Sequence, residues 1–485
     1  MVDDNKRRRK ELALRFFTYG VMTIAVIVGV IFCVAWAMGY RFDLRSGQLS
    51  QVALLQFNTY PTGALVSVNK TNLSTHTPTR ANVRTGNLTI TMQKDGYRAW
   101  SRRVTTAPST VQWLDYVRLI PEKISTKSIK SFNNLSDAKA SPNRKWLALI
   151  TNSGSHSLTL LDISNPENVK TSEIKYNDDV ISPTPDGVSE SFTIVEWDSS
   201  SRYILIKHSY GDQTEYIKVD RQDRDKTQNL TRDFAMSLVN PHFSGNSGNV
   251  FYALTDGSIR KLDYGDKSVS TPLDNNVTEY KLYGTSRLVY VSKTTEDNKP
   301  KQTVSIYNDG KVQQVKQFKD DKPVHVAFTE YNNEDYLAWS HDGKITLLPN
   351  PLDESSLLNG GSEHAETGKD NITTLDMNAD WVKFNNSGRL LLAGKDKKVL
   401  VYDPETDSQY QLSLSQSGEP FFIDDYHIVD QNNDELTIMD FDGTNRQHVV
   451  SGRLPAILSN DNKYLFSLDN ISGGVVLQRS NMTAN

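Results

Sequence analysis

The chain has 485 residues, with 54 Lys plus Arg against 58 Asp plus Glu and one cysteine. Residues 1–15 carry +3, so taking them from the −4 of the whole chain leaves −7 on the rest, which argues against a duplex nucleic-acid partner. A lone cysteine excludes an internal disulfide and a cysteine-based metal cluster, and 23% charged with 37% hydrophobic residues is the composition of a folded chain, not a disordered one.

The first feature is a basic run, Lys6, Arg7, Arg8, Arg9 and Lys10, followed by Phe16–Tyr40 without a single charge. At about 1.5 Å per residue such a helix crosses a hydrocarbon core of roughly 30 Å. It has no polar face, as a soluble helix of that length would. Positive residues beside a span stay on the cytoplasmic side. Residues 1–15 therefore read as a cytoplasmic tail, 16–40 as a transmembrane helix in contact with the lipid bilayer, and the rest as extracytoplasmic. Ala35-Trp36-Ala37 has the form of a signal-peptidase site, so cleavage after Ala37 is the competing reading. The apolar run before it spans about nineteen residues, longer than a signal core of roughly 7–15, and favours an uncleaved anchor in the cytoplasmic membrane. Residues 41–51 show no apolar period and read as a polar juxtamembrane linker.

From residue 52 to 121, short alternating runs (Ala64–Val68, Leu88–Met92) stand between turn residues such as Pro61-Thr62-Gly63, Thr77-Pro78 and Asp95-Gly96. This is a hairpin pattern and predicts a small β-sandwich. The order Pro61-Thr62-Gly63-Ala64, then Thr77-Pro78, then Gly86, then Gly96-Tyr97 resembles the PEGA domain, with Thr62 where the family's name has glutamate. The resemblance implies an extracytoplasmic β-domain of prokaryotic envelope proteins, with no catalytic residues. Tyr97 and Trp100 are placed to cap its core.

From residue 122 to 485 one unit recurs: a strand, a Ser/Asp/Asn/Gly turn, a strongly apolar strand, a second turn and a third strand. Eight copies begin at residues 141, 198, 244, 284, 332, 385, 423 and 459. Their spacing of about 46 residues suits a four-stranded propeller blade. Eight blades are expected, with seven as the alternative because the polar stretch 352–372 blurs one boundary. Ser141-Pro-Asn-Arg-Lys-Trp-Leu-Ala and Met439-Asp-Phe-Asp-Gly resemble the WD40-like repeats of TolB-type propellers, which implies fold and not activity. The last copy lacks a fourth strand, so Ile124–Phe132 is expected to pair with it and remove the open edge. The fold class is thus an all-β ectodomain, a PEGA-like sandwich plus a β-propeller, behind one N-terminal transmembrane helix.

No motif for nucleophilic, metal-dependent or phosphate chemistry stands in the sequence. Thr367-Gly368-Lys369-Asp370 lacks the upstream spacing of a phosphate loop. Asp440-Phe-Asp-Gly-Thr-Asn lacks the glutamate that would close a calcium loop, and reads as a turn. Glu363, His364 and Glu366 lie in a charged loop and read as solvated rather than as metal ligands. No cofactor and no metal is expected. Trp146 and Trp339 read as packed between blades. Trp197 and Trp381 precede turns at blade mouths, where core packing competes with a role as ligand-face aromatics. The expected function is a non-enzymatic binding or scaffold protein for an envelope protein or cell-wall glycan. The alternative is a hydrolase or lyase of wall polymers whose carboxylates gather only in three dimensions.

Overall fold

The computed structural model describes residues 2–43, 48–151, 156–177, 179–352 and 372–484, with side chains described from Leu14 to Tyr40 and from Ser50 onward within those ranges. The chain divides into two compact units, Met1–Lys123 with Ala484–Asn485, and Ile124–Thr483.

The first unit starts with the helix Val2–Ala37. Its segment Leu14–Ala37 has a mean hydropathy of 2.5, and none of it is buried. Thr18 and Thr23 donate their hydroxyls to the carbonyls of Leu14 and Tyr19, so neither presents an unsatisfied polar group. The helix ends at Ala37, three residues before the expected limit. Gly39 adopts φ +79°, and a Cβ there would stand 2.5 Å from Ser109 Oγ. A left-handed stop that close to a neighbouring chain segment suits glycine.

Within the stretch 41–51, expected as a linker, the described residues are strand instead. Tyr40–Asp43 pairs antiparallel with the start of Gln48–Tyr60, Tyr40 opposite Gln51 and Asp43 opposite Gln48. A backbone ladder needs no apolar alternation, so the sequence pattern was silent there. Thr79–Arg84 pairs antiparallel with Gln48–Tyr60, and Val111–Arg118 pairs parallel with it. The second sheet runs Thr71–His76, Leu65–Val68, Gly86–Gln93, Trp100–Thr106. Leu55 and Phe57 from the first sheet and Val66, Ile90, Met92 and Trp100 from the second are buried, as period-two alternation requires. The two sheets form the expected sandwich.

The second unit holds, among the described residues, eight four-stranded sheets. Each repeat copy falls in a different sheet. Seven sheets are built from consecutive strands. The eighth runs Arg453–Leu458, Tyr464–Ile471, Gly474–Asn481 and then back to Thr126–Phe132. Val475 lies opposite Phe132 and Ser480 opposite Thr126, so the expected closure forms. Buried Leu147, Leu149 and Leu161 of the first sheet pack with Ile457, Phe466 and Leu477 of the eighth. Further clusters join first to second, second to third, third to fourth, fourth to fifth and fifth to sixth sheets. The fold is a β-propeller.

The turn after the first strand is encoded locally in four of the sheets. In Ser141–Trp146, Asp198–Tyr203, Asn385–Leu390 and Ser459–Tyr464 the first side chain accepts the N–H of the sixth residue. The fourth residue has φ between 56° and 80° (Arg144, Ser201, Gly388, Asn462). Ser, Asp and Asn supply the short acceptor, and the left-handed position tolerates Gly, Asn and, at some strain, Arg or Ser.

Candidate functional site: the inner strands of the propeller

The first strand of each sheet lies innermost, since the eighth sheet places its chain-closing strand at the opposite edge. Three inner strands are joined to the next by a carboxylate. Ile194 N–H donates to Asp137 Oδ2 at 2.6 Å. Phe243 N–H donates to Glu196 Oε1, and His242 Nδ1 lies 2.9 Å from Glu196 Oε2. Val326 N–H donates to Glu279 Oε1 at 3.3 Å, and His325 Nδ1 lies 2.8 Å from Glu279 Oε2.

The two Glu–His clamps share a cause. Each glutamate follows a register shift in its strand, between Ile194 and Glu196 and between Val277 and Glu279. A bulge re-aims the next side chain, here from its own sheet towards the neighbouring inner strand. Both histidines sit 46 residues beyond their glutamate. This shared spacing at the repeat period is the signal of the clamps in the sequence.

At the C-terminal ends of the inner strands of sheets four to six is an open recess of about 350 Å³, lined among others by Lys281, Tyr283, Glu330, Lys383, Phe384 and Glu419. Lys383 Nζ lies 2.9 Å from Glu419 Oε2 and Lys281 Nζ 3.8 Å from Glu279 Oε1. The recess offers both charge signs beside the rings of Tyr283, Phe328 and Phe384, the chemistry of a polar recognition surface. Among the described residues no group of three or more His, Cys, Asp or Glu is arranged to hold a metal.

Away from the recess, two ionisable clusters are buried. His208 stands between Glu215 (Nδ1 to Oε1, 2.9 Å) and Glu190 (Nε2 to Oε2, 3.2 Å). Burial would raise the Glu215 carboxyl, but hydrogen bonds from His208, Ser182 and Asn229 outweigh it and hold the group at about 2. His427 Nδ1 is 2.8 Å from Asp424 Oδ1, and its Nε2 is 3.5 Å from Asp440 Oδ1. Burial works against the imidazolium, yet the Asp424 and Asp440 carboxylates push its pKa up to about 9. The His427 cluster lies within the seventh sheet, whereas Glu190 of the other also meets His156 beside the first sheet, Nε2 to Oε1 3.7 Å.

Of the two aromatics weighed as ligand-face residues, Trp197 is not one. It is 7% exposed, packs between the first and second sheets and donates Nε1–H to the Lys139 carbonyl at 3.1 Å. Trp381 is half-buried, its ring filling the space where Gly394 has no Cβ, with Lys383 Nζ 5.9 Å from the ring centroid. Trp146 and Trp339 are packed between sheets one and two and between four and five.

The PEGA-like residues form a latch. Gly63 N–H donates to the Thr77 carbonyl and Thr77 N–H to the Ala64 carbonyl. Ala64 N–H donates to Thr77 Oγ1 at 2.9 Å, which lies 2.6 Å from Thr59 Oγ1, which donates to the Pro61 carbonyl. Pro78 follows directly. Gly63, Gly86 and Gly96 all have positive φ, and Tyr97 is buried. The side chains of Lys6, Arg7, Arg8, Arg9 and Lys10 lie outside the described residues, as do Glu363, His364, Glu366 and Thr367–Asp370. Asp440–Asn445 is a turn, with Asn445 Nδ2 donating to Asp440 Oδ2 at 2.9 Å.

Residues 53–119 match the PEGA domain family. No curated protein matches the chain. Solved structures similar to it include an oligogalacturonate lyase in complex with manganese, 12% identical, with a TM-score of 0.39 over 74% of this chain and 98% of that one. The Dos1 propeller is 12% identical, with a TM-score of 0.40 over 73% of this chain and 94% of that one. Apo AztD from Citrobacter koseri is 9% identical, with a TM-score of 0.37 over 80% and 95%. Likeness of this size carries no information about activity.

Proposed function

We propose that this is a single-pass protein of the cytoplasmic membrane, with residues 6–10 inside and the PEGA domain and propeller outside, whose propeller binds an envelope protein or a cell-wall glycan. The observation that carries the reading is the commitment of the inner-strand carboxylates. Asp137, Glu196 and Glu279 each hold a backbone N–H of the next sheet. Carboxylates used this way fix the ring and are poorly placed to act as acid and base on a polymer. The recess near Glu279 presents Lys281, Glu330, Tyr283 and Phe384, groups suited to holding a polar partner rather than transforming one. The apolar helix keeps that surface at a fixed place in the envelope.

The test is retention of envelope material by the full chain in nanodiscs, compared with the double charge reversal Lys281→Glu with Glu330→Lys. Saturable retention of one component, lost in the double variant, is the expected result. Retention of nothing by folded protein overturns the reading, and equal retention by the variant moves the site elsewhere.

A further inference from the structure

The first unit leaves one apolar patch uncovered beside the helix end. Beyond Met38, its exposed large hydrophobic side chains among the described residues are Val111 (49%) and Trp113 (51%). Both lie on Val111–Arg118, and the register fixes their face. Val111 is opposite Leu54, which is opposite Asn82; Trp113 is opposite Gln56, which is opposite Arg80. Val52 is opposite Arg84 in the same way. Residues directly opposite share a face, so Val52, Leu54, Val111, Trp113, Arg80 and Arg84 form one outer surface, while Ala53, Leu55, Phe57 and Leu114 fill the core on the other side.

That surface starts at the end of the apolar helix. Ser109 Oγ donates to the Ala37 carbonyl at 3.0 Å, the last residue of the helix, and Val52 N–H donates to the Gly39 carbonyl at 3.0 Å. At about 3.3 Å per strand residue, Val111 stands roughly 7 Å and Trp113 roughly 13 Å along the strand from Ser109. The headgroup layer is only about 5–7 Å deep on each side of the hydrocarbon. A strand standing upright would leave Trp113 in water, whereas a sheet lying flat keeps the whole patch in that layer.

We infer that the outer face of this sheet rests on the outer-leaflet headgroups beside the span, with Trp113 and Val111 inserted at the interface and Arg80 and Arg84 facing lipid phosphates. The inference rests on the reading of the helix as a membrane span. Trp favours the headgroup level because its ring is apolar and its N–H is polar. Basic side chains add attraction to anionic lipid. The bilayer covers a patch that is continuous with the span and that nothing else among the described residues of this unit covers.

The experiment uses the full chain in nanodiscs of phosphatidylethanolamine and phosphatidylglycerol. A polarity-sensitive fluorophore is placed on Asn82→Cys, on the patch, or on Gln93→Cys, on the outer face of the other sheet, each in a Cys33→Ser background. Both positions are exposed, so neither substitution disturbs the core. Headgroup-nitroxide lipid should quench the label at 82 several-fold more than the label at 93, and adding Trp113→Glu should bring 82 down to the level of 93. Equal quenching at both positions overturns the inference. A label on the native Cys33 separates the two readings: if acyl-chain nitroxide fails to quench it, the span itself is wrong, and if it is quenched while 82 is not, only the surface contact is wrong.

Discussion

Thr77 makes two bonds that a valine of the same shape cannot. Its hydroxyl accepts from the buried Ala64 N–H and lies against Thr59 Oγ1. Thr77→Val leaves that N–H without an acceptor, and a buried unpaired donor costs about 1–3 kcal/mol. The unfolding midpoint of the PEGA domain should fall accordingly, and Thr77→Ser should restore most of it; an unchanged midpoint in the valine variant would contradict the latch. The buried clusters set opposite pH limbs. Glu215, lowered from 4.5 to about 2, contributes stability that is complete above 4.5 and lost as pH falls towards 2. His427, raised from 6.5 to about 9, contributes stability that is complete below 6.5 and lost as pH rises through 9. Denaturation midpoints of the propeller should fall on both sides, with Glu215→Gln flattening the acid limb and His427→Gln the alkaline one. An alkaline limb of undiminished depth in His427→Gln would assign it to other groups.

At the scale of elements, closure and clamps carry the ring. A Cβ on Gly474 would overlap the Phe132 carbonyl oxygen in the closing strand. Gly474→Ala should therefore open the eighth sheet, exposing an unpaired edge. The expected result is a lower unfolding midpoint together with dimers or larger species in size-exclusion chromatography; a monomer of unchanged stability would mean the closing strand shifts freely. Glu279→Ala removes the acceptor of Val326 N–H and the partner of His325, a loss of about 1–3 kcal/mol, read in the same denaturation experiment. These elements also differ in how legible they were. The turns at Ser141, Asp198, Asn385 and Ser459 could be read because the acceptor and the left-handed residue lie within six positions. The clamps left only their shared 46-residue spacing as a signal, because a bulge aims each glutamate at a residue one whole repeat away. The Tyr40–Asp43 strand escaped because a backbone ladder needs no apolar alternation. Trp197 was weighed as a rim residue because its place before the Asp198 turn is local, while the ring's path to the Lys139 carbonyl is not.

For the whole molecule, the repeat period gave the propeller and the order of turn motifs gave the PEGA domain, since both are written in hydrophobic alternation and turn residues. The recess was not legible: Lys281, Glu330 and Lys383 come from three different sheets and meet only through the ring. What the molecule binds there decides whether it is a binding module. The most direct measurement is titration of the full chain in nanodiscs with the solubilised envelope fraction, wild type beside Lys281→Glu with Glu330→Lys, scoring both retention and chemical change of the retained material. The account predicts saturable retention of an unaltered component, abolished in the variant while its circular dichroism spectrum shows it still folded. Cleavage of a wall polymer by the wild type, or no saturable retention at all, would contradict it.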